Sequence, residues 1–152
     1  MKAVIGQMLV HAYQLLQVER ASSLPKNSEL VKEIITFVPV SDRRMQERGF
    51  NQAEQMAVEL GRRVGLPVVR LLNRAKHTDK QSFKKRSERI DDLAHVFEVV
   101  ASIHSDLREY QGATIHIYVV DDVYTTGSTM NQCSKALKDH VSANIYGLTW
   151  AR

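Results

Sequence analysis

The sequence predicts an α/β fold in which a mainly parallel central sheet is flanked by helices. Two observations predict it. Short apolar runs rich in β-branched residues alternate with helical patterns, and the strongest run ends in a turn of small residues that opens a helix. Strands that alternate with helices form βαβ units, whose strands run parallel. The 152 residues suffice for one hydrophobic core, so we expect a single domain over 1–152.

The first part of the chain predicts a helix, a strand and a second helix. The apolar stretch from Val4 to Val18 is interrupted by three glutamines and His11, which favours an amphipathic helix packed on the domain over a membrane span. This helix and its connection, with Ser, Pro and Asn at Ala21 to Ser28, make up 1–30. A strand over Ile34–Val38 and a polar, basic loop over Pro39–Gly49 follow. Asn51 is a suitable N-cap for the next helix, and Gly65 a suitable end.

The second half predicts four further strands around an exposed basic segment. Leu66–Leu72 favours a short strand, and 73–95 is dense in Lys and Arg, which is typical of an exposed excursion. Patterns further on predict strands over Val96–Val100, Ile115–Val120 and Ala143–Trp150, with a helix from about Ser128 to His140 before the last strand.

Charge and cysteine content limit the class of protein. There are 21 Lys and Arg residues against 17 Asp and Glu, a net charge of +4, which favours anionic partners such as phosphates or nucleic acid without choosing between them. The single cysteine, Cys133, allows neither an intramolecular disulfide nor a Cys-rich zinc site. We interpret it as a buried apolar residue. These features, with no predicted membrane span, favour the cytoplasm.

A run of small and hydroxyl residues after the strand Ile115–Val120 predicts an anion site. Such a turn into a helix presents backbone N–H groups and hydroxyls to one point, and the helix dipole adds to this. Glycine within it permits a close backbone approach. Asp121 and Asp122 stand just before, where carboxylates suit ribose hydroxyls or Mg²⁺. The phosphate-binding residues we predict are Thr125, Thr126, Gly127, Ser128 and Thr129.

This segment, Val119 to Thr129, resembles the motif of type I phosphoribosyltransferases that binds 5-phosphoribosyl 1-pyrophosphate (PRPP). The resemblance implies that the Thr125–Thr129 turn holds the 5-phosphate and that Asp121 and Asp122 hold the ribose and, directly or indirectly, Mg²⁺. A solvated strand end followed by an ordinary turn is the alternative. A nucleoside-triphosphatase phosphate loop does not fit, because its Gly-Lys-Ser/Thr ending is absent.

Two arginines after the strand Ile34–Val38 form a second candidate anion site. The guanidinium groups of Arg43 and Arg44 suit bidentate contacts with phosphate oxygens. The continuation, Arg48-Gly49-Phe50-Asn51-Gln52, resembles the signature of the ComF competence family. The resemblance implies that the loop holds pyrophosphate and that Asp121, Asp122, Arg43 and Arg44 are the catalytic set. Solvated loop charges and helix capping are the alternative.

The basic segment resembles the same family at a few spaced residues: Arg74, Lys76, Thr78, Gln81, Arg86 and Arg89. A basic lid over PRPP would neutralise the leaving pyrophosphate and exclude water, and we assign Arg74 and Lys76 to it. A solvated basic face, or a patch that binds nucleic-acid phosphates, remains open. The closing residues 148–152 are similar to the family's final strand. Asp92 stands where the family has Asn, and no zinc module is recognisable.

Two functions follow from these patterns. As an enzyme, the protein transfers a phosphoribosyl group from PRPP to an unidentified base or amine, with Mg²⁺ as cofactor, and releases pyrophosphate. As an accessory protein of the ComF type, it serves DNA uptake and transformation, with competence proteins or single-stranded DNA as partners. Only Phe83 offers base stacking in the basic segment, which weakens the DNA hypothesis. The apolar first helix also allows a homodimer contact.

Overall fold

A parallel sheet with its helices and a small hairpin forms the fold. The computed structural model describes residues 2–23, 30–75, 96–124 and 126–151. In chain order the elements are α1 (Lys2–Ser23), β1 (Val31–Phe37), α2 (Asp42–Arg48), α3 (Gln52–Val64), β2 (Leu72–Arg74), β3 (Phe97–Val99), α4 (Ile103–Asp106), a 3₁₀ turn (Arg108–Tyr110), β4 (Thr114–Val123), α5 (Ser128–Lys138) and β5 (Asn144–Ala151).

The main sheet has the strand order β1-β4-β5, and both strand pairs are parallel. Strand β4 is therefore central, with Tyr118 opposite Ile35 of β1 and Tyr146 of β5. On the free side of β1, Val68 forms an isolated parallel bridge with Ile35. Strands β2 and β3 form a separate antiparallel pair. The predicted α/β class with a mainly parallel sheet is confirmed.

The two faces of β4 contribute to two separate hydrophobic clusters. Ile115, Ile117 and Val119 pack with Cys133 and Leu137 of α5 and with the hairpin side of the molecule. The alternate residues Tyr118 and Val120 pack with α1 and α3. Side chains of a strand alternate between faces, so a strand covered on both sides reads as a continuous apolar run. That is why 115–120 gave the clearest strand pattern in the sequence.

Helix α3 forms as its caps predict. The Asn51 side chain accepts hydrogen bonds from the backbone N–H groups of Ala53 and Glu54, and Gly65 ends the helix with φ +72°. The apolar positions of α3 are buried against the sheet and α1. The predicted first helix is also confirmed, although it continues to Ser23, into the segment we expected to be a connection.

Three boundaries differ from the predictions. Within the expected loop Pro39–Gly49, the chain forms the two-turn helix α2, which has no buried residue and therefore no apolar periodicity. The expected strand Leu66–Leu72 is reduced to the bridge at Val68, and Leu72 begins β2 instead. Strand β4 does not stop at Val120 but runs to Val123, which places the acidic pair inside the strand.

A polar network joins α1 to the amino-terminal half of the sheet. The Glu33 carboxylate accepts hydrogen bonds from the Tyr13 hydroxyl (2.8 Å), the Gln17 amide (2.8 Å) and the Tyr118 hydroxyl (2.8 Å), and forms an ion pair with Arg20 (2.7 Å). Arg20 also donates to the Tyr118 hydroxyl. Burial alone would raise the pKa of Glu33, but these donors outweigh it and lower the pKa to about 2.

Among the described residues, no helix combines the length and apolarity that crossing a bilayer requires.

Candidate functional site

The predicted acidic pair lies near the carboxyl end of the central strand. Asp121 stands opposite Thr149 of β5, and its carboxylate accepts a hydrogen bond of 2.8 Å from the backbone N–H of Asp122. Burial and the neighbouring Asp122 carboxylate raise the pKa of Asp121 to about 6, against the opposing effects of that N–H and of Arg44. A bound cation would stabilise the negative charge of two carboxylates that lie this close together.

The donor set fits a magnesium ion that also binds substrate oxygens. Magnesium prefers carboxylate oxygens and usually takes one or two of them, completed by water and phosphate. Asp121 and Asp122 supply that number. Within the described residues, no group of three or more His, Cys, Asp or Glu side chains comes together to hold a metal ion, so the fit is to a shared metal rather than to a full protein cage.

The predicted phosphate turn leads directly into α5. Helix α5 begins at Ser128, and the preceding residue, Gly127, has φ +78°. A helix that starts after glycine has no side-chain cap, so its first N–H groups are left for an anion. The Ser128 N–H donates weakly to the Thr126 hydroxyl at 3.4 Å. Thr126, Ser128 and Thr129 are exposed, whereas Thr125 lies outside the described residues.

Tyr124 covers this turn, which the sequence did not reveal. Its N–H donates to the carbonyl of Ala151 at 2.8 Å, which ties the end of β4 to the end of β5. A Cβ on Gly127 would lie 2.7 Å from the Tyr124 hydroxyl, so the phenol occupies the space that a side chain would need. The cavity beside it, lined by Asp121, Gly127 and Thr129 among others, measures about 10 Å³. The Tyr124 phenol therefore lies against the turn in which the sequence predicts a phosphate site.

The two predicted arginines separate in the structure. Both are exposed in α2, whose first turn is capped by the Ser41 hydroxyl. Arg43 pairs with Glu47 one turn later at 2.8 Å. Arg44 lies close enough to Asp121 for its charge to lower the pKa of that carboxyl. The structure thus places Arg44 near enough to Asp121 to act on the pKa of its carboxyl, whereas Arg43 forms an ion pair with Glu47.

Of the predicted lid residues, the structure describes Arg74 alone. It ends β2, and its guanidinium lies 5.6 Å from the centroid of the Phe97 ring. Its charge opposes the burial and the Asp121 charge that together raise the pKa of Cys133 to about 12. Arg74 and Asp121 thus both act on the same buried thiol. Other family-like positions lie outside the described residues: Lys76, Thr78, Gln81, Arg86, Arg89 and Asp92.

Residues 49–51 of the ComF-like signature lie at the corner between α2 and α3. Gly49 ends α2 with φ +75°, and Asn51 begins α3 while its amide donates to the carbonyl of Val38 at 3.0 Å. Asn51 therefore ties α3 to the end of β1. Beside this corner lies an apolar groove of about 850 Å³, lined by residues of α1, α2 and α3, among them Met45, and by Phe50 of the corner itself. Its lining does not suit a phosphate.

No protein-family profile matches the chain. The competence protein ComFC of Bacillus subtilis is 33% identical over 104 residues, which are 68% of this chain and 38% of that protein. Competence protein F of Haemophilus influenzae is 33% identical over 107 residues, 70% of this chain and 44% of that protein. The DNA utilization protein YhgH of Salmonella typhi is 26% identical over 144 residues, 94% and 56% respectively.

The chain spans about half or less of the length of most of these relatives. Among solved structures, the chain is similar to the allosteric regulatory enzyme of purine biosynthesis, with a TM-score of 0.52 and 13% sequence identity over 97% of this chain and 25% of the other. At that identity the likeness concerns the fold alone.

Proposed function

Because this chain belongs to the ComF competence family and has a type I phosphoribosyltransferase fold, we propose that it binds PRPP at the carboxyl end of β4 and transfers the phosphoribosyl group to a nitrogen acceptor. One observation carries the proposal. A buried parallel strand ends in two interacting carboxylates and leads through a glycine turn into a helix without a side-chain cap. Ligands of open parallel sheets bind at this edge.

Each part of PRPP has a chemically matching group. The 5-phosphate would accept hydrogen bonds from the N–H groups and hydroxyls of Thr126 to Thr129. The ribose hydroxyls would donate to Asp121 and Asp122. Asp121 and Asp122 would hold a magnesium ion, which would supply positive charge for the leaving pyrophosphate. Arg44 carries a positive charge that acts on the Asp121 carboxyl.

The reaction needs charge neutralisation and positioning more than a protein nucleophile. The bond between C1 of the ribose and the pyrophosphate oxygen breaks, with its electron pair leaving on pyrophosphate, and a bond from the acceptor nitrogen to C1 forms. The positive charge that develops on the ribose is stabilised by nearby carboxylates, and the leaving charge by cations. Burial of Cys133 and the raised pKa of its thiol remove it as a nucleophile.

The second candidate is an accessory role in DNA uptake, and the names of the relatives favour it. Two are competence proteins and one is a DNA utilization protein. The net charge of +4 is compatible with binding to nucleic-acid phosphates. In this role the chain would keep the fold and the PRPP site while catalysis is dispensable.

Calorimetric titration of PRPP with and without Mg²⁺ tests the proposal. The variant combines Asp121→Asn with Asp122→Asn. The matched control combines Glu109→Gln with Asp139→Asn, which removes two exposed carboxylates and changes the net charge equally. We expect metal-dependent binding by the parent and the control and its loss in the variant. A folded parent that does not bind PRPP overturns the proposal.

Two further readouts separate the candidates. Release of pyrophosphate from PRPP that depends on an added base or amine supports transfer. Binding of a single-stranded oligonucleotide that weakens steeply with salt, in a protein that releases no pyrophosphate, supports the accessory role.

A further inference from the structure

Helix α1 has two apolar faces, and only one of them is covered by the described residues. The inner face buries Ile5 and Leu9 against α3 and the sheet. A neighbouring face, about 100° around the helix, exposes four large apolar side chains, with exposed fractions of 61% for Val4, 48% for Met8, 54% for Leu15 and 69% for Val18. His11 is exposed between them. Single exposed apolar residues are ordinary, but four in one row indicate a contact surface.

The spacing of this row is that of a helix–helix seam. Positions 4, 8, 11, 15 and 18 follow one another by steps of four, three, four and three, which is the repeat of a coiled-coil seam. At a rise of about 1.5 Å per residue, the row extends over roughly 21 Å. No Asp, Glu, Lys or Arg occurs from residue 3 to residue 18. The seam is therefore long enough and neutral enough to bury against another helix.

The row is also nearly symmetric about its centre, and this identifies the partner. Val4 and Val18 lie seven residues from His11 on either side, and Met8 and Leu15 lie three and four residues from it. A two-fold interface requires one surface to complement itself. If a second α1 runs antiparallel, Val4 meets the partner's Val18 and Met8 meets the partner's Leu15. His11 then meets the partner's His11 at the axis.

We propose that the Val4–Val18 row of α1 is a homodimer interface in which two copies of the chain pair their first helices antiparallel. The proposal uses no residue of the PRPP site and stands or falls independently of it.

Sedimentation velocity over a range of protein concentrations tests the interface. We expect the parent dimer to have a dissociation constant of about 100 µM or lower. The combination of Met8→Glu with Leu15→Glu should weaken the dimer by about 100-fold or more, because four carboxylates would enter the seam. Val58→Glu is the matched control, since Val58 is an apolar residue of α3 that is 53% exposed and lies off the row. A parent that stays monomeric overturns the proposal.

Cross-linking tests the direction of the helices. A disulfide-linked dimer should form readily in the combination of Val4→Cys with Val18→Cys and poorly in either substitution alone, because only the antiparallel pair brings residue 4 next to residue 18. The native Cys133 is buried and does not interfere. Efficient cross-linking by Val4→Cys alone would mean parallel helices and would refute the proposed arrangement. His11→Leu should tighten the dimer by about tenfold, because two polar rings leave the axis.

Discussion

The effect of Asn51→Ala on stability follows directly from the contacts of the Asn51 side chain. The Asn51 side chain is only 4% exposed and makes three hydrogen bonds. Its oxygen accepts from the N–H groups of Ala53 (3.0 Å) and Glu54 (3.4 Å), and its amide donates to the carbonyl of Val38 (3.0 Å). Loss of an N-cap costs about 1 kcal/mol. A buried carbonyl left without its donor costs about 1–3 kcal/mol more.

The free energy of unfolding of Asn51→Ala should therefore fall by about 2–4 kcal/mol, measured by urea titration. For a domain of this size the midpoint temperature should fall by roughly 10 °C. Asn51→Asp keeps the capping oxygen but replaces the donor to Val38 with a second carboxylate oxygen that faces that carbonyl, so it should destabilise as well. Gln55→Ala, one turn into the same helix and exposed, is the control and should change stability by less than about 0.5 kcal/mol. A loss below about 0.5 kcal/mol in Asn51→Ala would refute the reasoning.

Three further substitutions test the packing and the charges. Gly61→Ala should destabilise by about 1–3 kcal/mol in urea titration despite its better helix propensity, because the new Cβ would lie 2.5 Å from Val68; a stability gain would contradict this. The parent should be more stable to unfolding than Glu33→Gln at neutral pH, and this difference should vanish as the pH falls from about 4 to 2, because the folded pKa of Glu33 is about 2. Melting temperatures measured at several pH values check this. A difference in melting temperature that does not change with pH would contradict it. The pKa of Asp121 is raised to about 6, so its charged form destabilises the folded protein as the pH rises through that value. The melting temperature of Asp121→Asn should therefore exceed that of the parent at pH 8 and equal it at about pH 4. Equal melting temperatures at pH 8 would argue against the raised pKa.

Local patterns predicted the strands and the capped helices because their signals are contained within a few residues. Asn51 and Gly65 bracket α3 with caps, and the doubly covered stretch 115–120 of β4 is apolar except for His116. Helix α2 was missed because none of its residues is buried. Its caps, Ser41 and Gly49, were visible in the sequence and were the one signal that could have found it.

The parts of the site that depend on distant contacts were beyond local patterns. The position of Arg44 near Asp121 joins residues 77 apart in sequence, and that of Tyr124 over Gly127 depends on how β4 ends. The Glu33 network likewise joins α1, β1 and β4, and no spacing along the chain reveals it. The roles of the basic segment 73–95 stay predictions.

The central position of β4 has a consequence for how each half of the site behaves over time. Amide hydrogens of a strand that is paired on both sides and covered on both faces exchange with solvent only when much of the fold opens. The acidic pair lies just beyond this stretch, because β1 pairs with β4 only as far as Val120 and both Asp121 and Asp122 are half-buried. We therefore expect the amides of the acidic pair to exchange faster than those of Ile117 to Val120. The residues from Thr126 to Thr129, in an exposed turn and the start of a helix, should exchange faster still.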